Sequence, residues 1–269
     1  MLFLMFFLNL ILAQEANPRI TVDGSILLRS PIFVQLNLIN FRKLLESGND
    51  LAIKDFISRN HNYLYGNIAR ENYLHILIRE KKSDYLSFLL EKINELAPEE
   101  KEKAFLSKNI HGDMPLAYSL KLSDMENFFI IFNSFKDDKE LFKKVLNFKS
   151  GSGHTVLHYA VYLNNLSALN LLLDEIKKFD MPEQLVLLNE TDGYFQKTPF
   201  YIATERRSLA AMNLLKDHGA DIKTGRYISS TRYLRPEDLI TEDDGQDVLN
   251  VFGIVPVKKS SCFSCFGKK

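Results

Sequence analysis

One motif returns four times along this chain, and its spacing limits the possible folds more than any other feature of the sequence. The clearest copy is Thr155-Val156-Leu157-His158-Tyr159-Ala160. The others are Thr198-Pro199-Phe200-Tyr201-Ile202-Ala203, Met114-Pro115-Leu116-Ala117-Tyr118-Ser119 and Asn72-Tyr73-Leu74-His75-Ile76-Leu77. Aligned on Leu74, Leu116, Leu157 and Phe200, the copies stand 42, 41 and 43 residues apart. A second register runs in step: Leu89, Ile131, Leu172 and Leu215 each lie fifteen residues past an anchor, with Leu86, Phe128, Leu169 and Met212 three residues before them. Apolar residues three to four apart form the stripe of an amphipathic helix. Each unit therefore reads as a short inner helix, a tight turn and a longer outer helix. A unit of this size buries its apolar face only by stacking on its neighbours. The expected fold class is all-α, a helical repeat solenoid.

The motif has a local logic. Thr155 and Thr198 stand where a helix begins, and their hydroxyls can accept from the unpaired N–H groups there. Pro199 suits the first helical turn, where a missing N–H costs nothing. Ala160 and Ala203 are small enough for stacked helices to approach. His75 and His158 are expected to bond to the turn and to the neighbouring repeat.

These residues resemble the ankyrin repeat, whose signature is Thr-Pro-Leu-His-x-Ala followed by Leu-Leu and Gly-Ala-Asp. The last copy matches best, from Lys197 through Asn213-Leu214-Leu215-Lys216-Asp217-His218-Gly219-Ala220-Asp221. The resemblance covers residues 66–225 well and residues 30–252 more faintly. These units exceed the ~33 residues of an ankyrin repeat, and the excess follows the outer helix. Gly219 can take the left-handed conformation that ends a helix. Its counterparts are Ile93, Phe135 and Ile176, so there the outer helix can run on. New segments begin near Pro98-Glu99-Glu100, Asp137-Asp138 and Pro182-Glu183 and end at Leu106, Leu146 and Leu188. Proline and acidic residues suit a helix N-terminus, so each linker is read as a third, short helix.

The flanks are read as atypical terminal units, because an end repeat has one face without a neighbour. Residues 17–65 are expected to form an N-terminal helical cap or degenerate repeat, with Ser30-Pro31-Ile32 in the motif's place and Leu44-Leu45-Glu46-Ser47-Gly48 resembling an outer-helix end. Residues 226–255 are expected to form a C-terminal helical cap, with Arg235 to Ile240 as an inner helix and Asp247 to Phe252 as an outer one.

Residues Leu2 to Ala13 are apolar apart from Asn9. That run is shorter than the ~20 residues of a membrane-spanning helix, and it matches the apolar core of a secretory signal peptide over residues 1–16. No Lys or Arg precedes it, and the alternatives are a buried first helix or a wrongly placed start codon. The expected localisation is secreted or exported, with cytoplasmic as the alternative. Residues 256–269 are expected to be disordered. They hold the chain's two cysteines, Cys262 and Cys265, beside phenylalanines and between two Lys-Lys pairs. Cysteine acylation with basic residues is a two-signal membrane anchor, so these are candidate lipidation sites of a membrane-tethered adaptor; the plainer alternative is a solvated tail.

Several function classes find little support. Lys plus Arg equals Asp plus Glu at 34 each, so the chain lacks the charge of a nucleic-acid binder. No disulfide framework or cysteine zinc site exists before the tail. His154 and His158 stand four apart, but no His-Glu-x-x-His sequence accompanies them, and no metal is expected. Paired carboxylates such as Glu99-Glu100 lie in charged linkers beside lysines, where solvated helix ends are the simpler reading. Ser152 lies in Gly151-Ser152-Gly153, which is not a nucleophile elbow. No cofactor and no enzymatic activity are expected.

The resemblance instead implies a protein partner, bound by a monomer on the exposed side of the inner helices. The positions concerned precede the motif or follow its end. In the first copy they are Glu71, Arg79 and Glu80; in the second, Asp113, Lys121 and Leu122. In the third they are His154, Tyr162 and Leu163; in the fourth, Lys197, Glu205 and Arg206. Leu122, Tyr162 and Leu163 would form an apolar centre with charges on either side, the arrangement binding hot spots favour. By the same resemblance the chain is read as a secreted, host-directed factor, with an enzyme built on residues 226–269 as the weakest rival.

Overall fold

The structure is a computed structural model, and it describes residues 31–60, 71–229, 232–241 and 243–254. The leader at 1–16 and the tail at 256–269, with Cys262 and Cys265, lie outside the described residues, as do Ser30 and residues 61–70. The chain divides into two compact units. One holds the residues up to 115 together with 129–134; the other holds 116–128 and the residues from 135 on.

In the first unit α1 (Pro31–Ser47) and α2 (Asp50–Asn60) precede α3 (Tyr73–Arg79), α4 (Ser83–Asn94) and α5 (Pro98–Phe105). Here the sequence pattern and the structure part. The stretch at 31–47 is one continuous helix, not an inner helix, a turn and an outer helix. Nothing in Gln35-Leu36-Asn37-Leu38-Ile39 supplies a glycine or proline to break it. Gly48, with a φ of 66°, follows its end. Phe41, Phe56 and Tyr73 join α1, α2 and α3 in one aromatic cluster, their ring centroids 4.7–5.8 Å apart. In the same unit α2 and α5 each pack on α4.

The following helices are α6 (Pro115–Lys121), α7 (Met125–Phe135), α8 (Lys139–Asn147), α9 (Val156–Tyr162), α10 (Leu166–Ile176), α11 (Met181–Asn189), α12 (Pro199–Glu205) and α13 (Leu209–Asp217); they belong to the second unit except for Pro115 and residues 129–134 of α7, which are counted in the first. The inner helices α9 and α12 pack on each other, and so do the outer helices α10 and α13. Leu74, Leu116, Leu157 and Phe200 are at most 2% exposed. The eight outer-helix positions of the second register, from Leu86 to Leu215, are 0% exposed. The apolar spacing therefore corresponds to the core.

Helix starts follow the capping chemistry. Thr155 accepts from the His158 N–H at 3.4 Å and Thr198 from the Tyr201 N–H at 3.1 Å; in the first copy Asn72 accepts from the His75 N–H at 3.0 Å. The three linkers are helical, as α5, α8 and α11. Pro98 opens the first, while Asp138 and Asp180 cap the other two by accepting from Leu141 N–H at 3.1 Å and Glu183 N–H at 2.9 Å. At the other end of the outer helices, Gly219 takes a φ of 88° and α13 stops two residues past Leu215. Without that glycine α7 and α10 run four residues past Ile131 and Leu172, and α4 five past Leu89.

The turn between inner and outer helix falls seven residues past each anchor. There Lys81, Ser123, Asn164 and Arg207 have φ values of 51°, 55°, 52° and 56°. At each, two backbone N–H groups close back on the inner helix, as Asn164 on Val161 and Asn165 on Ala160. This paired closure is the Schellman arrangement.

Past α13 the expectation of a wholly helical cap is corrected. β1 (Arg226–Ser229) and β2 (Arg232–Leu234) form an antiparallel hairpin, with Arg226 opposite Leu234 and Tyr227 opposite Tyr233. A 3-10 turn (Pro236–Leu239) and α14 (Gln246–Val251) follow. Aromatic and β-branched residues in Arg226-Tyr227-Ile228-Ser229 favour extended backbone, and no repeat copy imposes a helix there.

Candidate functional site

The loops that enter each inner helix share one construction. Backbone N–H groups of Asn109, Ser150 and Asp192 donate to the carbonyls of Asp113, His154 and Lys197, each at 2.9 Å. Each of those carbonyls lies three residues before an anchor. Two accept a second bond from the preceding repeat: His75 Nε2–H donates to Asp113 O and His158 Nε2–H to Lys197 O, both at 2.9 Å. Both imidazoles are fully buried, and burial pushes each pKa down to about 4. They are neutral struts that tie one repeat to the next loop. Gly153 and Gly193 touch in the second unit, where Gly193 N–H donates to Gly153 O at 2.8 Å. A Cβ on Gly153 would stand 2.7 Å from Gly193 N, so the contact requires glycine.

The structure separates the candidate residues. In the first unit Glu71 accepts from both Arg42 and Arg79, and Arg79 reaches Glu80 at 3.2 Å. With Arg42 these three candidates form a local ion network of four residues. Asp113 is a correction: its side chain is fully buried and is not presented to a partner. Its place in the loop turns the residue inward while its carbonyl serves His75.

The remaining candidates belong to the second unit. Leu122, Tyr162 and Leu163 end the inner helices α6 and α9 and are 39%, 47% and 38% exposed. Lys121 Nζ lies 5.5 Å above the Tyr159 ring. Five candidates line a single groove of about 560 Å³: His154, Tyr162, Lys197, Glu205 and Arg206. Aromatic rings hold its cations. Arg206 lies 4.5 Å over Tyr162, and Lys197 lies 5.3 Å over Phe195 while pairing with Glu205 at 2.6 Å.

Sequence reasoning missed Asp192, Phe195 and Ile202, which also line the groove. Asp192 Oδ1 accepts from the Phe195 N–H at 2.6 Å, which turns the loop and carries Tyr194 and Phe195 outward, 68% and 57% exposed. The available signal was two aromatic residues directly after Asp192-Gly193, a turn dipeptide.

Ser152, His154 and Asp192 invite comparison with a nucleophile, base and acid. Ser152 Oγ is 3.1 Å from His154 Nδ1, and it also bonds with Tyr159 OH at 2.6 Å and Ser150 Oγ at 2.9 Å. His154 Nε2 is 3.8 Å from Asp192 Oδ2, beyond hydrogen-bond length. The serine is held in a loop network, and Asp192 does not reach His154 Nε2 within hydrogen-bond length.

Residues 128–226 match the family model for ankyrin repeats, in three copies. Over those residues the chain carries ankyrin repeats. The matched segment contains α9 to α13 and hence the groove. Among solved structures, the ankyrin repeat domain of Bcl-3, described as a unique member of the IkappaB protein family, is similar at 19% identity. The match covers 67% of this chain and 72% of that one, with a TM-score of 0.49. Ankyrin repeats generally mediate protein–protein interaction. Among the described residues no cluster of His, Cys, Asp and Glu could hold a metal, and no helix is long and apolar enough to cross a membrane.

Proposed function

We propose that this chain is an ankyrin-type, non-enzymatic scaffold that binds another protein through the inner-helix ends of its second unit. The observation that carries the reading is the exposure of Leu122, Tyr162 and Leu163 at matching turns of successive repeats, beside a groove whose cations rest on aromatic rings. Large apolar side chains that a fold leaves exposed together mark interaction surfaces, and Tyr and Arg are the residues most enriched at binding hot spots. The test is affinity capture from cell extract with the wild-type chain and with a Tyr162→Asp, Leu163→Asp double variant. A partner held by the wild type and lost by the variant supports the reading. Partners retained equally by both place binding elsewhere. Export is part of the proposal, on the strength of the apolar run at Leu2 to Ala13. The mature chain is then expected to begin close to Gln14 or Asn17. Mass spectrometry of the native protein checks this, and an intact Met1 in a cytosolic pool counts against it.

A further inference from the structure

Two adjacent arginines follow α12, and they are used in opposite ways. Arg207 is fully engaged: its guanidinium donates to Asp244 at 2.7 Å, Leu239 O at 2.8 Å and Thr204 O at 3.1 Å. Arg206 is exposed, and among the described residues its guanidinium meets no carboxylate and no hydrogen-bond acceptor. The nearest acid in sequence is Glu205, and both of its oxygens are committed to Lys197 Nζ, at 2.8 and 2.6 Å. Asp192 lines the same groove, but its side chain is 1% exposed and faces His154. The Arg206 guanidinium is nevertheless held in place, 4.5 Å from the Tyr162 ring centroid. Stacking on an aromatic face leaves the N–H edges of a guanidinium pointing outward, in the fork that matches a carboxylate. A second cation stands near Phe195: the Arg226 guanidinium lies 6.0 Å from that ring and donates to Tyr201 OH at 3.3 Å.

We propose that the groove of the second unit takes an acidic segment of the partner protein, with an Asp or Glu carboxylate paired to Arg206. An apolar side chain of the same segment would lie against Tyr162, Ile202 and Phe195. The balance of charge favours this occupant. Lys197 and Glu205 pair with each other, the Asp192 side chain is 1% exposed, and Arg206 is the exposed charge lining the groove that meets no carboxylate among the described residues. Holding the guanidinium in advance on Tyr162 removes much of the ordering cost of a bidentate contact.

This inference rests on the partner-binding reading above, and one experiment separates their failures. Random twelve-residue peptides on phage are selected against the full chain, and the most enriched peptide is titrated by fluorescence anisotropy. The expected result is a peptide carrying Asp or Glu beside an apolar residue, whose affinity falls with added salt. Arg206→Ala is expected to weaken it at least tenfold without lowering the melting temperature, and Arg206→Lys to restore little. Arg59→Ala, an exposed arginine of the first unit, serves as the control and should change nothing. Peptides that lose affinity with Leu163→Asp but not with Arg206→Ala would overturn the acidic partner and leave the scaffold reading standing. Failure to enrich any peptide, or binding indifferent to both substitutions, would overturn both.

Discussion

His75 and His158 show how much one residue type carries in this fold. Each caps its own helix start through Nδ1 and spans to the next loop through Nε2–H. Their pKa values, pushed down to about 4 by burial, lie below the ~6.5 of an unfolded histidine. Between those values the unfolded chain binds protons that the native chain refuses. Stability should therefore be flat above pH 6.5 and fall as pH drops from 6.5 towards 4, by at most ~1.4 kcal/mol per pH unit for each histidine. Urea unfolding of the wild type and of His158→Gln at pH 7.5 and 5 checks this: the wild type should lose more than the variant, and equal losses would reject the linkage. The left-handed turn residues make a second case. A non-glycine residue there costs roughly 1–2 kcal/mol, and asparagine is the least penalised. Lys81→Gly should raise stability by ~0.5–1 kcal/mol, net of the glycine's chain entropy, while Asn164→Gly should be close to neutral. A lower melting point for Lys81→Gly would show that its side chain contributes more than its backbone costs.

At the scale of elements, the repeat is a contract between positions fifteen residues apart. Leu157 on α9 and Leu172 on α10 are both shielded from solvent, and α9 and α10 pack directly. Leu172→Ala should cost ~2–5 kcal/mol by leaving a cavity that its neighbours fill only in part. Ala160 is 0% exposed. Ala160→Leu should cost ~1–3 kcal/mol for the reverse reason, overpacking between stacked helices. Thermal unfolding followed by circular dichroism checks both, and an unmoved melting point for Leu172→Ala would break the assigned register. The linker helices have their own economy. They begin on Pro98, Asp138 and Asp180 and bury Phe105, Leu146 and Leu188. They exist because the outer helices before them lack a glycine like Gly219 to stop them short. The lengthened repeat and the third helix thus share a cause.

For the molecule as a whole, what could be read in the sequence was what the repeat made redundant. Leu74, Leu116, Leu157 and Phe200 interpret one another, so four weak copies gave one firm register. The linker helices were legible because proline and aspartate mark helix starts by local chemistry. Asp113 was misplaced because its surface position was inferred from the repeat, and burial depends on how one loop turns. Asp192 and Phe195 escaped notice because they lie outside the motif, and only the folded chain brings them to the groove. The hairpin at 226–234 has no counterpart to compare it with, and there local β-propensity prevailed over the expectation of a helix. It nonetheless begins the segment that closes the second unit. The 3-10 turn packs on α12 and α14 packs on α13. Phe252 meets Phe200 edge-on with centroids 5.8 Å apart, and Lys216 Nζ donates to Val251 O at 2.6 Å. A terminal repeat has an apolar face that only a cap can cover. A chain ending at residue 225 should therefore expose Phe200 and melt well below one ending at residue 254. Phe252→Ala should reproduce part of that loss, about 2 kcal/mol for a half-buried ring, a little under the range for a fully buried one. Equal melting of the two truncated chains would mean that the repeats complete their own core at residue 225, and that residues 226–254 are an appendage rather than a cap.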